Sequence, residues 1–217
     1  MNALIVATIA GGLLLDYHWA VFGQVAVSAA AWLVCLGLWL RSGPGGRPAL
    51  LACLVFATAG EVFLSLVWGL YEYRLRNIPL FVPPGHVLLF FLGTQVAARL
   101  PAKSEWWIAA LAAPVVIAFA WDGRDTLGPL LYGLFLICML VSPSRRLYAT
   151  MFVLSLAMEL YGTWIGNWVW ADRVPGLGLT TLNPPIAAGA FYCVLDFLVV
   201  GVTAKLQAPM TVRSQLN

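Results

Sequence analysis

The sequence predicts an all-α fold, a polytopic transmembrane bundle of about eight spans, and three observations predict it. Of the 217 residues, 62% are hydrophobic and 10% are charged, with a mean hydropathy of +0.89. A soluble domain carries roughly 25% charged residues, so too few charges are present to cover a water-facing surface. The apolar residues fall into runs of about 20, the length that crosses a bilayer core as helix. The basic residues gather in alternate connectors, as the positive-inside rule requires.

The expected spans are 3–20, 22–40, 49–70, 79–98, 106–121, 127–141, 147–168 and 184–205. The first two are separated only by Asp16-Tyr17-His18, which predicts a tight hairpin or one partial span. Residues MNALIVATIAGG lack a basic n-region and read as a retained first helix. Connectors after even-numbered spans carry Arg41, Arg47, Arg99, Lys103, Arg145, Arg146, Lys205 and Arg213, eight of the twelve basic residues. Both termini are therefore expected in the cytoplasm, with the chain in the cytoplasmic (inner) membrane if the source is bacterial. Residues 1–217 read as one integral membrane domain with a short cytoplasmic tail, 209–217.

Two segments repeat a pattern. Glu61 is followed by Ser65, Gly69, Tyr71, Tyr73 and the pair Pro83-Pro84; Glu159 is followed by Thr163, Gly166, Trp168, Trp170 and Pro184-Pro185. The offset is +98 between the glutamates and +97 between the glycines and rings. Four spans separate the copies, which suggests two four-helix halves in parallel repeat, 1–104 and 105–208. The apolar connectors 74–83 and 171–183 are expected to fold back over the outer face, with the Pro pairs in the first turn of the returning helices.

Three acids lie within apolar runs: Glu61, Glu159 and Asp196. A charge at the bilayer centre costs about 2.5–3.5 kcal/mol on insertion scales. Such groups face a bundle interior, pair, or carry a proton, and they are the candidate catalytic residues. Tyr192, His86 and Asn183 share their faces or helix ends, and Trp68, Tyr71, Tyr73, Trp164, Asn167 and Trp168 cluster where the acidic helices run out. These nine are candidate substrate-binding residues. An interfacial aromatic belt is the alternative for the rings, and interhelical hydrogen bonding for the polar groups.

The cysteines (Cys35, Cys53, Cys138, Cys193) lie in apolar runs without CxxC spacing and read as small buried hydrophobes. Scattered acids and two histidines make no metal set, no cofactor motif is present, and the +3 charge forms no basic face for nucleic acid. The expected partners are membrane lipid and an isoprenoid ligand; oligomeric state stays open.

The stretch Glu61-x7-Gly69-x-Tyr71-x-Tyr73, with Ile78-Pro79-Leu80 after it, resembles the acidic-helix pattern of membrane-bound carotenoid biosynthesis proteins of the carotenoid hydratase type. Glu159-x-x-Gly162-x-x-x-Gly166-x-Trp168-x-Trp170 is a variant of that theme, with Trp for Tyr. Small integral-membrane terpene cyclases, which also use intramembrane carboxylates, offer a looser similarity. The resemblance implies an isoprenoid hydratase (lyase) or cyclase that protonates a double bond without a cofactor. The residues themselves leave two other readings open, a proton-coupled transporter and a non-catalytic membrane scaffold or assembly factor.

Overall fold

The computed structural model describes the backbone of residues 1–214 and the side chains of residues 1–206 other than residue 20. The order is α1 (Asn2–Arg41), α2 (Arg47–Glu61) running into a π-helical turn (Val62–Val67), β1 (Tyr71–Tyr73), α3 (Val82–Ala97), α4 (Ser104–Trp121), α5 (Gly128–Val141), α6 (Arg145–Ile165), β2 (Trp168–Trp170) and α7 (Gly189–Ser214). The fold is all-α, with one two-stranded sheet among the described residues.

Helix α1 is not straight. Gly12 packs on Val27, where an added Cβ would fall 2.9 Å from Cγ1, and Gly23 sits against the Leu15 carbonyl. Eight residues of straight helix span about 12 Å, so these contacts require the chain to reverse between Asp16 and Gly23. The two apolar arms form the hairpin that the interruption at Asp16-Tyr17-His18 predicts. Glycine at both crossings lets the arms approach without a side chain between them.

Among the described residues, four helices are long and apolar enough to cross a membrane: Val21–Arg41, Arg47–Val67, Ser104–Trp121 and Gly189–Leu206. This corrects the expected count of about eight spans. Helices α3 and α5 are apolar but have 16 and 14 residues, about 24 and 21 Å against a hydrocarbon core of roughly 30 Å. Helix α3 is short because Pro79 keeps the start of its expected segment in a loop, whereas α5 fills its expected segment 127–141 almost completely and is short in itself. Ile78-Pro79-Leu80-Phe81 precedes α3, and Pro184-Pro185 and the three residues after it precede α7. The outer surface is apolar, with Phe22 and Trp121 at 85% and 91% exposure, as a lipid-facing surface should be.

Helices α2, α3, α6 and α7 pack around the centre, each touching two of the others. The α1 hairpin closes one side against α3 and α6; the α4–α5 pair closes the other against α6 and α7. The connectors between helices are pinned by polar groups. Asp125 accepts from the amides of Gly128 (3.1 Å) and Ile186 (2.7 Å), and Thr126 exchanges bonds with Thr180. Burial pushes the Asp125 carboxyl up, against the pull of those two amides. The tail expected at 209–217 continues as α7 through Ser214; residues 215–217 lie outside the described residues.

The α6–α7 crossing depends on Gly189, whose Cα faces the backbone of Phe152 so closely that a Cβ would strike the carbonyl. Overpacking against backbone costs about 1–3 kcal/mol. Gly189→Ala should therefore unfold earlier in detergent thermal melts than Gly201→Ala, whose Cβ meets nothing within 4 Å.

Candidate functional site

The repeated motif is a device for turning a helix end into a ring-bearing strand. Gly69 and Gly166 take left-handed conformations, with φ of 71° and 96°, where a Cβ is disfavoured. Each reverses the chain two residues before a strand. The strands pair antiparallel, Tyr71 with Trp170, Glu72 with Val169 and Tyr73 with Trp168. Side chains alternate along a strand. Tyr71, Tyr73, Trp168 and Trp170 are therefore buried together, while Glu72 and Val169 face outward.

The rings deliver donors to the two glutamates. Glu61 Oε2 accepts from the hydroxyls of Tyr71 (2.8 Å) and Tyr73 (2.7 Å), and Oε1 lies 2.9 Å from His86 Nε2. Glu159 Oε2 accepts from the indole N–H groups of Trp168 (2.8 Å) and Trp170 (3.0 Å), and Oε1 accepts from Tyr192 (3.0 Å). The plan is the same twice: strand rings on one oxygen, a ring from the returning helix on the other. His86 on α3 and Tyr192 on α7 stack on each other, with centroids 4.9 Å apart and planes at 18°. Both glutamates are 6% exposed.

The π turn explains the mismatch in the repeat. From Glu61 to Gly69 is one residue more than from Glu159 to Gly166. Helix α6 reaches its glycine in regular α winding, whereas α2 changes to π winding directly after Glu61. A π turn absorbs one extra residue in a helix. The widened turn, closed by Trp68 N–H to Phe63 O (2.8 Å), keeps Tyr71 and Tyr73 in reach of Glu61.

The carboxylates open into a cavity of about 650 Å³, including its mouth, bounded by both arms of α1 and by α3 and α6. Of the candidate residues, Glu61, Glu159, Tyr71, Tyr73, His86, Trp168 and Tyr192 line it. Its other walls are chiefly aliphatic, among them Leu13, Val27 and Leu88. No group of three or more metal-ligating side chains occurs among the described residues.

The remaining candidates lie elsewhere. Asp196 is fully buried, but neither carboxyl oxygen has a partner and it lines no part of the cavity. It shares a face of α7 with Tyr192 but lies one turn, about 5.4 Å, further along. The expected meeting of three acids is thus a meeting of two. Trp164 is 80% exposed. Trp68 donates to the Pro175 carbonyl (2.9 Å), which ties the π turn to the second connector. Asn167 donates to Leu13 O (3.1 Å) and Asp16 Oδ2 (2.8 Å), and Arg74 donates to the Asp16 carbonyl, so the α1 hairpin is fastened over the strand pair. Asn183 accepts from the Trp170 amide (2.9 Å) and so orients β2. Trp170 was the site residue absent from the candidates. Its two-residue spacing from Trp168 was the available signal.

Hydrogen bonds to a charged group are worth about 1.5–3 kcal/mol each. Tyr73→Phe and Trp170→Phe each remove one donor from a buried carboxyl. Each should lower unfolding stability by about that amount, measured by chemical denaturation in detergent; Trp164→Phe should leave it unchanged. No family model, curated protein or solved structure matches the chain.

Proposed function

We propose that this membrane-embedded chain binds an apolar, isoprenoid-class substrate and carries out acid–base chemistry on it, as a hydratase (lyase) or cyclase. The observation that carries this reading is the chemical inequality of the two glutamate cages. Glu61 is held by two phenols and an imidazole, groups that can give up or take a proton. Glu159 is held by two indoles, which can only donate, and by the single phenol of Tyr192, so an imidazole stands only in the Glu61 cage. The Glu61–His86 pair is the proton-transfer element; Glu159 is a fixed acceptor whose negative charge faces the cavity.

In the proposed step the Glu61–His86 pair gives its proton to one carbon of a substrate double bond. The π electron pair forms the new C–H bond, and the neighbouring carbon becomes cationic. The faces of Tyr71 and Trp168 and the Glu159 carboxylate stabilise that charge. The cation is quenched by water, which returns a proton to the Glu61–His86 pair, or by a second double bond followed by loss of a proton to that pair. Neither route consumes an oxidant or a cofactor.

The test is the lipid profile of cells with and without the gene, and with Glu61→Gln, Glu159→Gln and His86→Gln. Loss of a positioned acid or base costs about 10²–10⁴ in rate. Glu61→Gln and His86→Gln should abolish the gene-dependent lipid, and Glu159→Gln should deplete it. A wild-type profile from both glutamate variants would rule out acid–base chemistry at this site and leave a carrier or a scaffold.

A further inference from the structure

Among the described residues a second cavity also reaches the carboxylates. The second, about 410 Å³ with its mouth, lies between α2 and α7. Glu61, Tyr71, His86, Glu159 and Tyr192 line both cavities. These shared residues carry most of the polar atoms of the site. The stacked rings of His86 and Tyr192, each bonded to one glutamate, belong to both walls.

The walls that belong to the second cavity alone are almost entirely carbon: Phe56, Ala57, Gly60, Leu64, Phe191 and Leu195, with the Trp170 ring beside them. The first cavity is likewise apolar away from the shared residues and its Thr8, Tyr73 and Trp168. A polar band with an apolar chamber on either side does not suit a compact polar solute. A hydrophilic molecule would leave its own groups unpaired in both chambers, at a cost of about 1–3 kcal/mol per group. The arrangement suits a flexible hydrocarbon chain with one reactive or polar position along its length.

Building on the acid–base reading, we propose that the two cavities are two subsites for a single extended apolar chain. The reacting segment lies at the Glu61–Glu159 band, one arm fills the α1–α3–α6 chamber and the other enters the α2–α7 chamber. Ala57 and Gly60 set the depth available to the second arm. A Cβ at Gly60 would meet nothing within 4 Å, so a side chain there has room to enter without moving the backbone. These two positions then decide the length of chain accepted, while the carboxylates decide where on the chain the chemistry falls.

The experiment is probe binding by quenching of tryptophan fluorescence in the detergent-purified full chain. The probes are two linear isoprenoid alcohols, geraniol and its doubled homologue geranylgeraniol. Wild-type protein should bind the longer probe more tightly. Gly60→Leu and Ala57→Leu should each lower the ratio of longer-probe to shorter-probe affinity by about tenfold or more, the scale of a few methylenes losing their pocket. Ala31→Leu, in the first chamber, should weaken both probes. Thermal melts check that each variant is folded. An unchanged ratio in both folded second-chamber variants overturns the two-subsite proposal. The proposal and the acid–base reading fail separately. A shifted ratio with a normal lipid profile in Glu61→Gln cells keeps the subsites and removes the chemistry. An unshifted ratio with a lost lipid does the reverse.

Discussion

The pairing of Tyr71–Tyr73 with Trp168–Trp170 is the constraint on which the rest of the site depends. An ionised carboxyl withdrawn from water loses several kcal/mol even after the protein relaxes around it. Three charge-assisted hydrogen bonds of about 1.5–3 kcal/mol each are of the same order and can offset that loss. Each glutamate has three such partners, and two of the three come from a strand. A lone strand of three residues would not hold its shape. Paired, the strands share one register, and every buried ring is placed by the partner as well as by its own helix end.

That register has the form of a two-fold relation. Tyr71 faces Trp170 and Tyr73 faces Trp168, with Glu72 and Val169 at the centre. In the sequence repeat Tyr71 corresponds to Trp168 and Tyr73 to Trp170, so each pairing exchanges into the other. The packing follows suit: α2 touches α3 and α7, and α6 touches α7 and α3. Departures from the symmetry fall beside the glutamates. The π turn follows Glu61 and has no counterpart after Glu159. His86, in the proline register, matches Ala187, and the equivalent role is taken by Tyr192. The two similar segments thus hold their glutamates in cages of different composition.

Much of this was legible in the residues. The apolar runs mark the helices because burial in lipid removes any need for an amphipathic pattern. Glu61 and Glu159 stood out because a carboxyl in such a run requires partners. What was not legible is pairing across the chain. Nothing local to Trp168-Val169-Trp170 says that it will lie beside Tyr71-Glu72-Tyr73, since three residues are too few to display a strand. The span count failed for a related reason. Hydropathy does not distinguish apolar helix from apolar loop, so the loop at Ile78-Pro79-Leu80-Phe81 reads as part of α3, and an apolar run as short as α5 reads as a crossing. Asp196 met the same rule as the glutamates, yet its depth along α7 leaves it outside the cavity.

A cysteine pair measures the strand register directly. Glu72 and Val169 are opposed and exposed, and opposed antiparallel residues have Cα atoms about 4.5–5.5 Å apart, within disulfide range. The four native cysteines are buried. In a Glu72→Cys, Val169→Cys chain, a mild oxidant should close the bridge rapidly in intact membranes, and the bridged protein should still bind the isoprenoid alcohol probe. A pair that stays reduced while each cysteine alone reacts freely with a soluble maleimide would mean that the strands do not meet, and with them the two glutamates.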